Sequence, residues 1–395
     1  MPFMRQAAHS LSTARLQWSG CHPRGVYWFG MQSNRRHFLF GALAAPVLAA
    51  TKKKQPQAQV ERANIVLIVA QDLGAYMLGC YENSEVHTPN IDRLAQTGVR
   101  FAGSFSCSPV AVEQAAFTAA GYNCAHGAST AQATEFLDAQ APAKPFFLSV
   151  AWPSPLKIAA SQKNIDLYAS TGFESVGWEM AVANATHKEM LRDPQGNLRK
   201  YAAALTTLDE DLPPLLAKLR QRGVWDSTLV IFTSNNGYLL GRHGLWGDTT
   251  ASDPANMYEE AVRTPLIWMW PSRFPPQTVR TDVVGSYDLM PTLCELAGVA
   301  APGGGQSYLP YVYGRRLGKK QSWPDVAFGR VRETEMAREN RYKLILRDQG
   351  KGPNELYDET ADAREQVNQI ESPKFVSMRE RLTAELAAWR GQHPA

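Results

Sequence analysis

Two continuous apolar runs constrain the fold of this chain more than any other feature of its sequence. Residues 64–70 and 228–234 are almost entirely β-branched or apolar. Such runs are typical of parallel strands that are buried on both faces. Further strand-like runs at 146–151 and 266–270 alternate with segments of helical periodicity such as 198–222. This alternation predicts an α/β fold with a mostly parallel central sheet.

A polar doublet follows each of the two apolar runs. In open α/β sheets, ligands lie just outside the carboxyl ends of the strands, so the two doublets are expected to lie close together. Each of their side chains offers an oxygen atom that suits a hard cation. We therefore predict a metal site with these residues: Gln71, Asp72, Asn235 and Asn236.

Two boundary signals refine the element prediction. Thr88 followed by Pro89 predicts a helix start with Thr88 as the capping side chain. Pro213 and Pro214 must kink or break the helix predicted over 198–222, because proline lacks the backbone N–H of a helix interior.

A smaller C-terminal part is predicted after a Gly- and Pro-rich connection at 301–306. Strand-like runs at 326–331 and 342–346 indicate a small sheet, and a closing helix is predicted over 374–390. The predicted divisions are a signal region at 1–50, a linker at 51–61, an α/β domain at 62–305 and an α+β subdomain at 306–395.

The N-terminal region carries the pattern of an export signal. Arg35 and Arg36 precede an apolar stretch, 38–50, which ends in small residues that suit signal-peptide cleavage. The stretch is too short to span a bilayer comfortably, so no stable membrane anchor is expected. We expect export by the twin-arginine machinery to the periplasm or extracellular space. Met31 stands at a natural start for this signal, so residues 1–30 could be an over-extended gene start.

Composition excludes some functional classes. A formal net charge of +4 over 395 residues, with no basic stripe interleaved with aromatics, argues against a nucleic-acid partner. None of the five cysteines forms a Cys-x-x-Cys pair, so a zinc site of that type is not indicated. The sequence allows one disulfide among them, but free thiols at scattered positions are the favoured interpretation.

Several motifs follow the first strand in a fixed order. They are HTPNID at 87–92, NNG at 235–237, GRHGLWG at 241–247, YEEAVRTPL at 258–266, YDLMPTL at 287–293 and ELYD at 355–358. With this order, residues 62–366 resemble the sulfatase family of the alkaline-phosphatase superfamily. The resemblance implies an alkaline-phosphatase-like sandwich and an arylsulfatase-type sulfuric ester hydrolase. It also implies calcium or another divalent cation as cofactor, and a sulfated small molecule or glycan as ligand.

The nucleophile that the resemblance implies is missing. Sulfatases use a formylglycine made from Cys or Ser in a C/S-x-P-x-R segment. In the register that keeps the spacing from Phe101, the nucleophile position is Ala111 and the arginine position is Ala115. Alanine has no atom that can be oxidised to an aldehyde. A shifted register would start at Cys107 and include Pro109, but it places Ala111 where the arginine belongs.

Other implied site groups are also absent. The segment after the nucleophile position is short, and 123–129 has no Lys or His at the positions of the family's G-K-W-H motif. Ser154 replaces a histidine, and Asp248 replaces a lysine that would neutralise the ester. The cationic groups that would stabilise charge in the transition state are therefore largely lost.

The metal doublets are similarly altered. The family pairs Asp-Asp with Asp-Asn around calcium, whereas only Asp72 is charged here. Calcium affinity depends on the number of charged ligands, so any binding should be weak. Alternatively, Asp72 and Asn236 are turn formers that bond local backbone. His243 is either a residual catalytic group or a satisfied loop histidine.

These losses predict a sulfatase relative that is impaired or inactive. Two classes of function remain open. One is a weak phospho- or sulfo-ester hydrolase that uses metal-bound water. The other is a non-catalytic, ligand-binding paralogue, which the joint loss of nucleophile, cations and metal carboxylates favours.

Overall fold

The computed structural model describes most of the chain after the predicted linker. The described residues are 62–107, 109–110, 114–141, 144–271, 273–301, 303–314 and 323–393. Arg35, Arg36 and the nucleophile position Ala111 lie outside them. In the part that the structure describes, no helix is both long and apolar enough to cross a membrane.

Strands and helices alternate through most of the described chain. The strands are β1 (Asn64–Ala70), β2 (Val99–Phe105), β3 (Asn123–Ala128), β4 (Phe146–Ala151), β5 (Thr228–Ser234), β6 (Leu239–Leu240), β7 (Trp246–Gly247), β8 (Leu266–Met269), β9 (Thr278–Gly285), β10 (Val326–Val331), β11 (Thr334–Glu339), β12 (Tyr342–Arg347) and β13 (Glu355–Asp358). The helices are α1 (Pro89–Gln96), α2 (Gln114–Ala119), α3 (Thr130–Asp138), α4 (Gln162–Leu167), α5 (Pro194–Asp209), α6 (Leu212–Gln221), α7 (Glu259–Val262), α8 (Leu289–Ala297), α9 (Leu309–Val312) and α10 (Val376–Gln392).

A seven-stranded sheet forms the centre of the α/β part, in the order β3-β4-β1-β5-β8-β2-β9. All neighbouring pairs are parallel except the two that β8 makes with β5 and β2. Every residue of β1 and β5 is buried. Alternate β1 side chains enter different hydrophobic clusters, with Val66 and Ile68 in one and Ile65 and Leu67 in the other. The predicted α/β fold with a mostly parallel sheet is confirmed.

The predicted helix break lies at the two prolines. Helix α5 ends at Asp209, and α6 begins at Leu212 with Pro213 and Pro214 in its first turn. Proline is tolerated there because the first N–H groups of a helix have no intrahelical partner.

The cap of α1 differs from the prediction. Thr88 makes no side-chain cap bond; its hydroxyl accepts a bond from the Gly79 backbone N–H instead. The N–H groups of Asn90 and Ile91 bond to the Asp209 carboxylate at 3.0 and 2.8 Å. The cap therefore comes from the end of α5, which is distant in sequence and could not be read from local spacing.

The C-terminal part contains a four-stranded antiparallel sheet, β10-β11-β12-β13. Helix α10 packs on it through buried Leu382 and Leu386. Another hydrophobic cluster joins Phe105 and Val283 of the α/β part to Met336 of this sheet. The two parts thus share core packing across the predicted boundary at 305/306.

Candidate functional site

The two polar doublets lie side by side at the carboxyl ends of β1 and β5. These strands are parallel neighbours, with Ala70 opposite Ser234. The Asn236 side-chain amide donates a 2.8 Å hydrogen bond to the Asp72 carboxylate. The Leu73 backbone N–H bonds to the Asn236 carbonyl at 3.1 Å. Strand-end placement therefore brings together residues that are far apart in sequence.

Asn236 also stabilises the turn after each strand. Asp72 has φ 54°, in the left-handed region that Asp and Asn tolerate better than most residues. The Asn236 side-chain oxygen lies 3.5 Å from the Asp72 backbone nitrogen, a long contact, and its side-chain nitrogen donates to the Gly237 carbonyl at 2.8 Å. These contacts are those of the turn former that the sequence left as an alternative.

Asn235 connects the strand end to the nucleophile loop. Its side-chain oxygen accepts a 2.9 Å bond from the Val110 N–H, and its carbonyl accepts a 2.6 Å bond from the Ser106 hydroxyl. Val110 directly precedes Ala111. Ser106 and Val110, which precede the nucleophile position, are therefore held next to the doublets.

The donor set at the doublets does not fit a tightly bound calcium ion. Among the four predicted ligands only Asp72 carries a charge. One of its oxygens accepts the bond from Asn236, and the Asn235 amide oxygen is engaged by Val110. Gln71 is partly buried beside them. Since calcium sites gain affinity from several carboxylates, this arrangement favours weak binding at most.

Three tyrosines surround the doublets. Tyr201 donates its hydroxyl to the Asp72 carbonyl at 2.5 Å, and Tyr76 donates to the Tyr238 carbonyl at 2.7 Å. Burial, followed by the nearby charges of Asp72 and Asp248, raises the pKa of Tyr238. Burial also raises the pKa of Tyr201. These phenols are therefore neutral and supply hydroxyl groups, but no positive charge, around Asp72.

His243 is held inside its loop. It has φ 58°, and its ring stacks on Tyr258 with the ring centroids 3.7 Å apart. Its Nε2 lies 3.4 Å from Glu260, which also pairs with Arg242. Burial opposes ionisation of Glu260, but the hydrogen bond from His243 and the charge of Arg242 outweigh it and lower its pKa. These contacts match the satisfied loop histidine better than a free acid or base.

Cys107 contacts the C-terminal sheet. Its Sγ lies 3.9 Å from the Arg330 carbonyl, and a Cβ added at Gly329 would lie 2.5 Å from that sulfur. Burial raises the pKa of the thiol to about 11, so little reactive thiolate forms at neutral pH. The alternative register that starts at Cys107 therefore gains no reactive group from the structure.

Two residues that stand where the family has catalytic groups instead form hydrogen bonds within local turns. The Asp248 carboxylate accepts bonds from the Thr250 N–H and hydroxyl at 2.8 and 2.7 Å. Ser154 accepts a bond from the Leu156 N–H at 3.3 Å. Neither residue supplies the cationic or proton-donating group that the resemblance implies for its position.

Carboxylates that could bind a metal ion occur elsewhere in the described residues. They form two overlapping groups: His243, Glu260 and Glu365, and Glu259, Glu359 and Glu365. Lys343, fully buried, lies 2.5 Å from Glu365 and 2.9 Å from Glu259, and Arg338 lies 3.0 Å from Glu259. Glu365 and Lys343 are not among the site residues that the sequence predicts.

Comparison with protein families gives two matches. The family model described as Sulfatase matches residues 63–126 and 112–299, two overlapping segments. The model described as N-sulphoglucosamine sulphohydrolase, C-terminal, matches residues 247–392. Together they span both parts of the fold.

Similar proteins include several sulfatases. An ulvan-active sulfatase of Formosa agariphila is 22% identical over 89% of this chain and 87% of its own length. An N-acetylglucosamine-6-O-sulfatase of Bacteroides thetaiotaomicron is 33% identical over 27% of this chain and 18% of its own. Human arylsulfatase A is 30% identical over 41% of this chain and 32% of its own. The chain thus matches less than a third of the length of two of these three relatives.

Solved structures share the fold. A protein in complex with its substrate D-glucosamine-2-N,6-O-disulfate has a TM-score of 0.69 and 19% identity, covering 84% of this chain and 98% of its own. The phosphonate monoester hydrolase of Agrobacterium radiobacter has a TM-score of 0.67 and 16% identity, covering 84% and 96%. At these identities the likeness concerns the fold alone.

Proposed function

The chain belongs to the sulfatase family, and from that membership we propose that it is a homologue which does not turn over sulfate esters. The observation that carries the proposal is the donor set at the ends of β1 and β5. The one charged residue of the four predicted metal ligands is engaged by an amide at 2.8 Å. The other three positions, Gln71, Asn235 and Asn236, are amides and provide no second carboxylate to favour a bound cation.

The loss of the nucleophile supports the same conclusion. Ala111 cannot form the aldehyde of the family's covalent route. Cys107, which begins the shifted register, has a thiol whose pKa is raised by burial, and it packs against Gly329. Asp248, at the position of a lysine, would repel an anionic ester rather than stabilise its developing charge.

The ligand that we propose is a sulfated small molecule or glycan, bound without hydrolysis. Relatives named as sulfatases, and a fold neighbour whose substrate is a disulfated glucosamine, support this ligand class. Calcium or another divalent cation, held weakly through Asp72, belongs to the same proposal. We further propose that the protein is exported by the twin-arginine route, on the strength of Arg35 and Arg36.

A weak metal-dependent hydrolase is the second candidate. The specific observation in its favour is the group of His243, Glu260 and Glu365, whose ligand atoms lie within 4.8 Å of one another. Against it, Arg242 already pairs with Glu260, and Lys343 pairs with Glu365, at 2.5 Å in each case. A metal-bound water would therefore have to displace existing ion pairs.

Turnover of 4-nitrophenyl sulfate by the purified protein tests these alternatives. We expect none above the buffer rate, with EDTA or with added Ca²⁺, Mn²⁺ or Zn²⁺. An active sulfatase of the family serves as the positive control. Turnover with EDTA present would overturn the non-catalytic proposal. Turnover that needs added metal and is lost in Glu260→Gln would establish the second candidate instead.

A further inference from the structure

A large cavity lies at the opposite end of the central sheet from the polar doublets. It is bounded by α1, α6 and the segment that follows β8. Because β8 runs antiparallel to β5, its last residue, Met269, lies near the start of β5, opposite Val230. The cavity volume is ≈ 690 Å³, within the range of about 300–1,000 Å³ that is usual for small-molecule sites.

The floor of the cavity is apolar and partly aromatic. Leu94, Leu216, Trp225, Met269 and Phe274 line it. Leu94 and Met269 belong to the same buried hydrophobic cluster, so the floor is supported by the core. Rigid apolar and aromatic walls of this kind suit a ring-shaped ligand body.

Two arginines add positive charge to this apolar surface. The Arg220 guanidinium lies over the Trp225 ring, 3.9 Å from its centroid, which limits its orientations. Arg93 lines the cavity from α1. Within the described residues neither guanidinium pairs with a carboxylate, whereas Arg341 and Arg381 do at 2.8 and 2.7 Å.

We propose that this cavity binds a small aromatic anion. The ring would occupy the apolar floor, and the acidic group would bond to Arg93 and Arg220. Arginine suits both parts of such a ligand, because its planar group stacks on rings and donates paired hydrogen bonds to carboxylates and sulfonates. Both arginines are exposed, so an uncharged ring would gain no contribution from their charge. The site is independent of the doublets and of the non-catalytic proposal.

Isothermal titration with 2-naphthalenesulfonate tests this site. The neutral naphthalene-2-sulfonamide and inorganic sulfate separate the contributions of ring and charge. We expect the sulfonate to bind at least tenfold more tightly than either. The double variant Arg93→Gln with Arg220→Gln should lose at least tenfold in affinity. Its matched control, Arg192→Gln with Arg364→Gln, removes two exposed arginines outside the cavity and should bind like wild type.

A second variant keeps both charges and removes the space. Ala217 is exposed and lines the cavity, so Ala217→Phe should fill it without disturbing the core. We expect this variant to bind the sulfonate at least tenfold more weakly, with an unchanged circular dichroism spectrum. Equal binding of sulfonate and sulfonamide, or unchanged affinity in the arginine or Ala217 variants, would overturn the proposal.

Discussion

Asn236 and Asp72 follow different strands, yet the amide of one donates a 2.8 Å hydrogen bond to the carboxylate of the other. The same amide nitrogen bonds to the Gly237 carbonyl at 2.8 Å. Asn236 thus joins the turn after β1 to the turn after β5. In this arrangement the amide stands next to a carboxylate where a cation would otherwise neutralise it.

The bond should be measurable as a coupling in stability. Asp72→Ala, Asn236→Ala and the double variant form a double-mutant cycle in urea unfolding. A hydrogen bond to a charged group contributes about 1.5–3 kcal/mol, and we expect a coupling energy of about 1–2 kcal/mol. Strict additivity of the two single effects would mean that the pair does not stabilise the turns. The cycle should give the same value with EDTA as without it.

Calcium affinity should increase when carboxylates are restored. Gln71→Asp combined with Asn235→Asp places three carboxylates at the two strand ends, and the carboxylate introduced in place of the Asn235 amide could still accept the Val110 N–H bond. By calorimetric titration we expect calcium to bind about tenfold or more tightly than to wild type. Gln221→Asp with Gln349→Asp adds the same charge at exposed positions and should leave affinity unchanged. Equal behaviour of the two double variants would show that the doublets do not form a cation site.

Stability should fall as pH rises through the neutral range. Burial, with the neighbouring carboxylates, raises the pKa of Glu359 to about 8 and that of Glu365 to about 7, although Lys343 opposes both shifts. Between the ordinary glutamate pKa and these values, the folded chain binds more protons than the unfolded chain. The free energy of unfolding therefore decreases with pH, by up to about 1.4 kcal/mol per unit for each proton.

Urea unfolding between pH 6 and pH 9 tests this dependence. We expect Glu359→Gln to flatten the decrease, because the amide cannot ionise. Glu333→Gln, at an exposed position, should keep the wild-type slope. A rise in stability over this range in wild type would contradict the expected protonation of the cluster.

Export should require the paired arginines. Arg35→Lys with Arg36→Lys keeps the charge but removes the arginine pair that the twin-arginine route reads. We expect the precursor to stay in the cytoplasm on cell fractionation. Changing Lys52 and Lys53 to Arg, after the apolar stretch, should not affect delivery. Periplasmic protein at wild-type level from the lysine variant would reject this route.

The strands and helices that the sequence predicted are those whose formation depends on residues close together in the chain. β1 and β5 follow from continuous apolar runs, and α6 begins where Pro213 and Pro214 dictate. The antiparallel direction of β8 was not predicted, because a short apolar run contains no information on direction. The cap that Asp209 gives α1 was missed for a related reason, since it depends on tertiary placement.

The same limit applies to the candidate site. Strand-end position was enough to place Asp72 beside Asn236, but not to show which atoms meet. The buried network of Glu259, Glu365 and Lys343 joins segments that the fold alone brings together. Charged residues in sequence look solvated until their burial is known, so this network could not be predicted.

Supplying only the missing nucleophile should not restore sulfatase activity. Ala111→Cys provides a sulfur, but Glu113 and Ala115 still occupy the Pro and Arg positions of the maturation motif. Asp248 also remains where a lysine would neutralise the developing charge, and losing one such donor costs about 3–4 kcal/mol in transition-state stabilisation. We expect no turnover of 4-nitrophenyl sulfate by Ala111→Cys co-expressed with a formylglycine-generating enzyme. Adding Glu113→Pro and Ala115→Arg should allow the aldehyde to form, detectable by hydrazide labelling, while turnover stays at background. Turnover by the single variant would show that the maturation motif and the lysine are not needed, and the non-catalytic proposal would then depend on the missing nucleophile at Ala111.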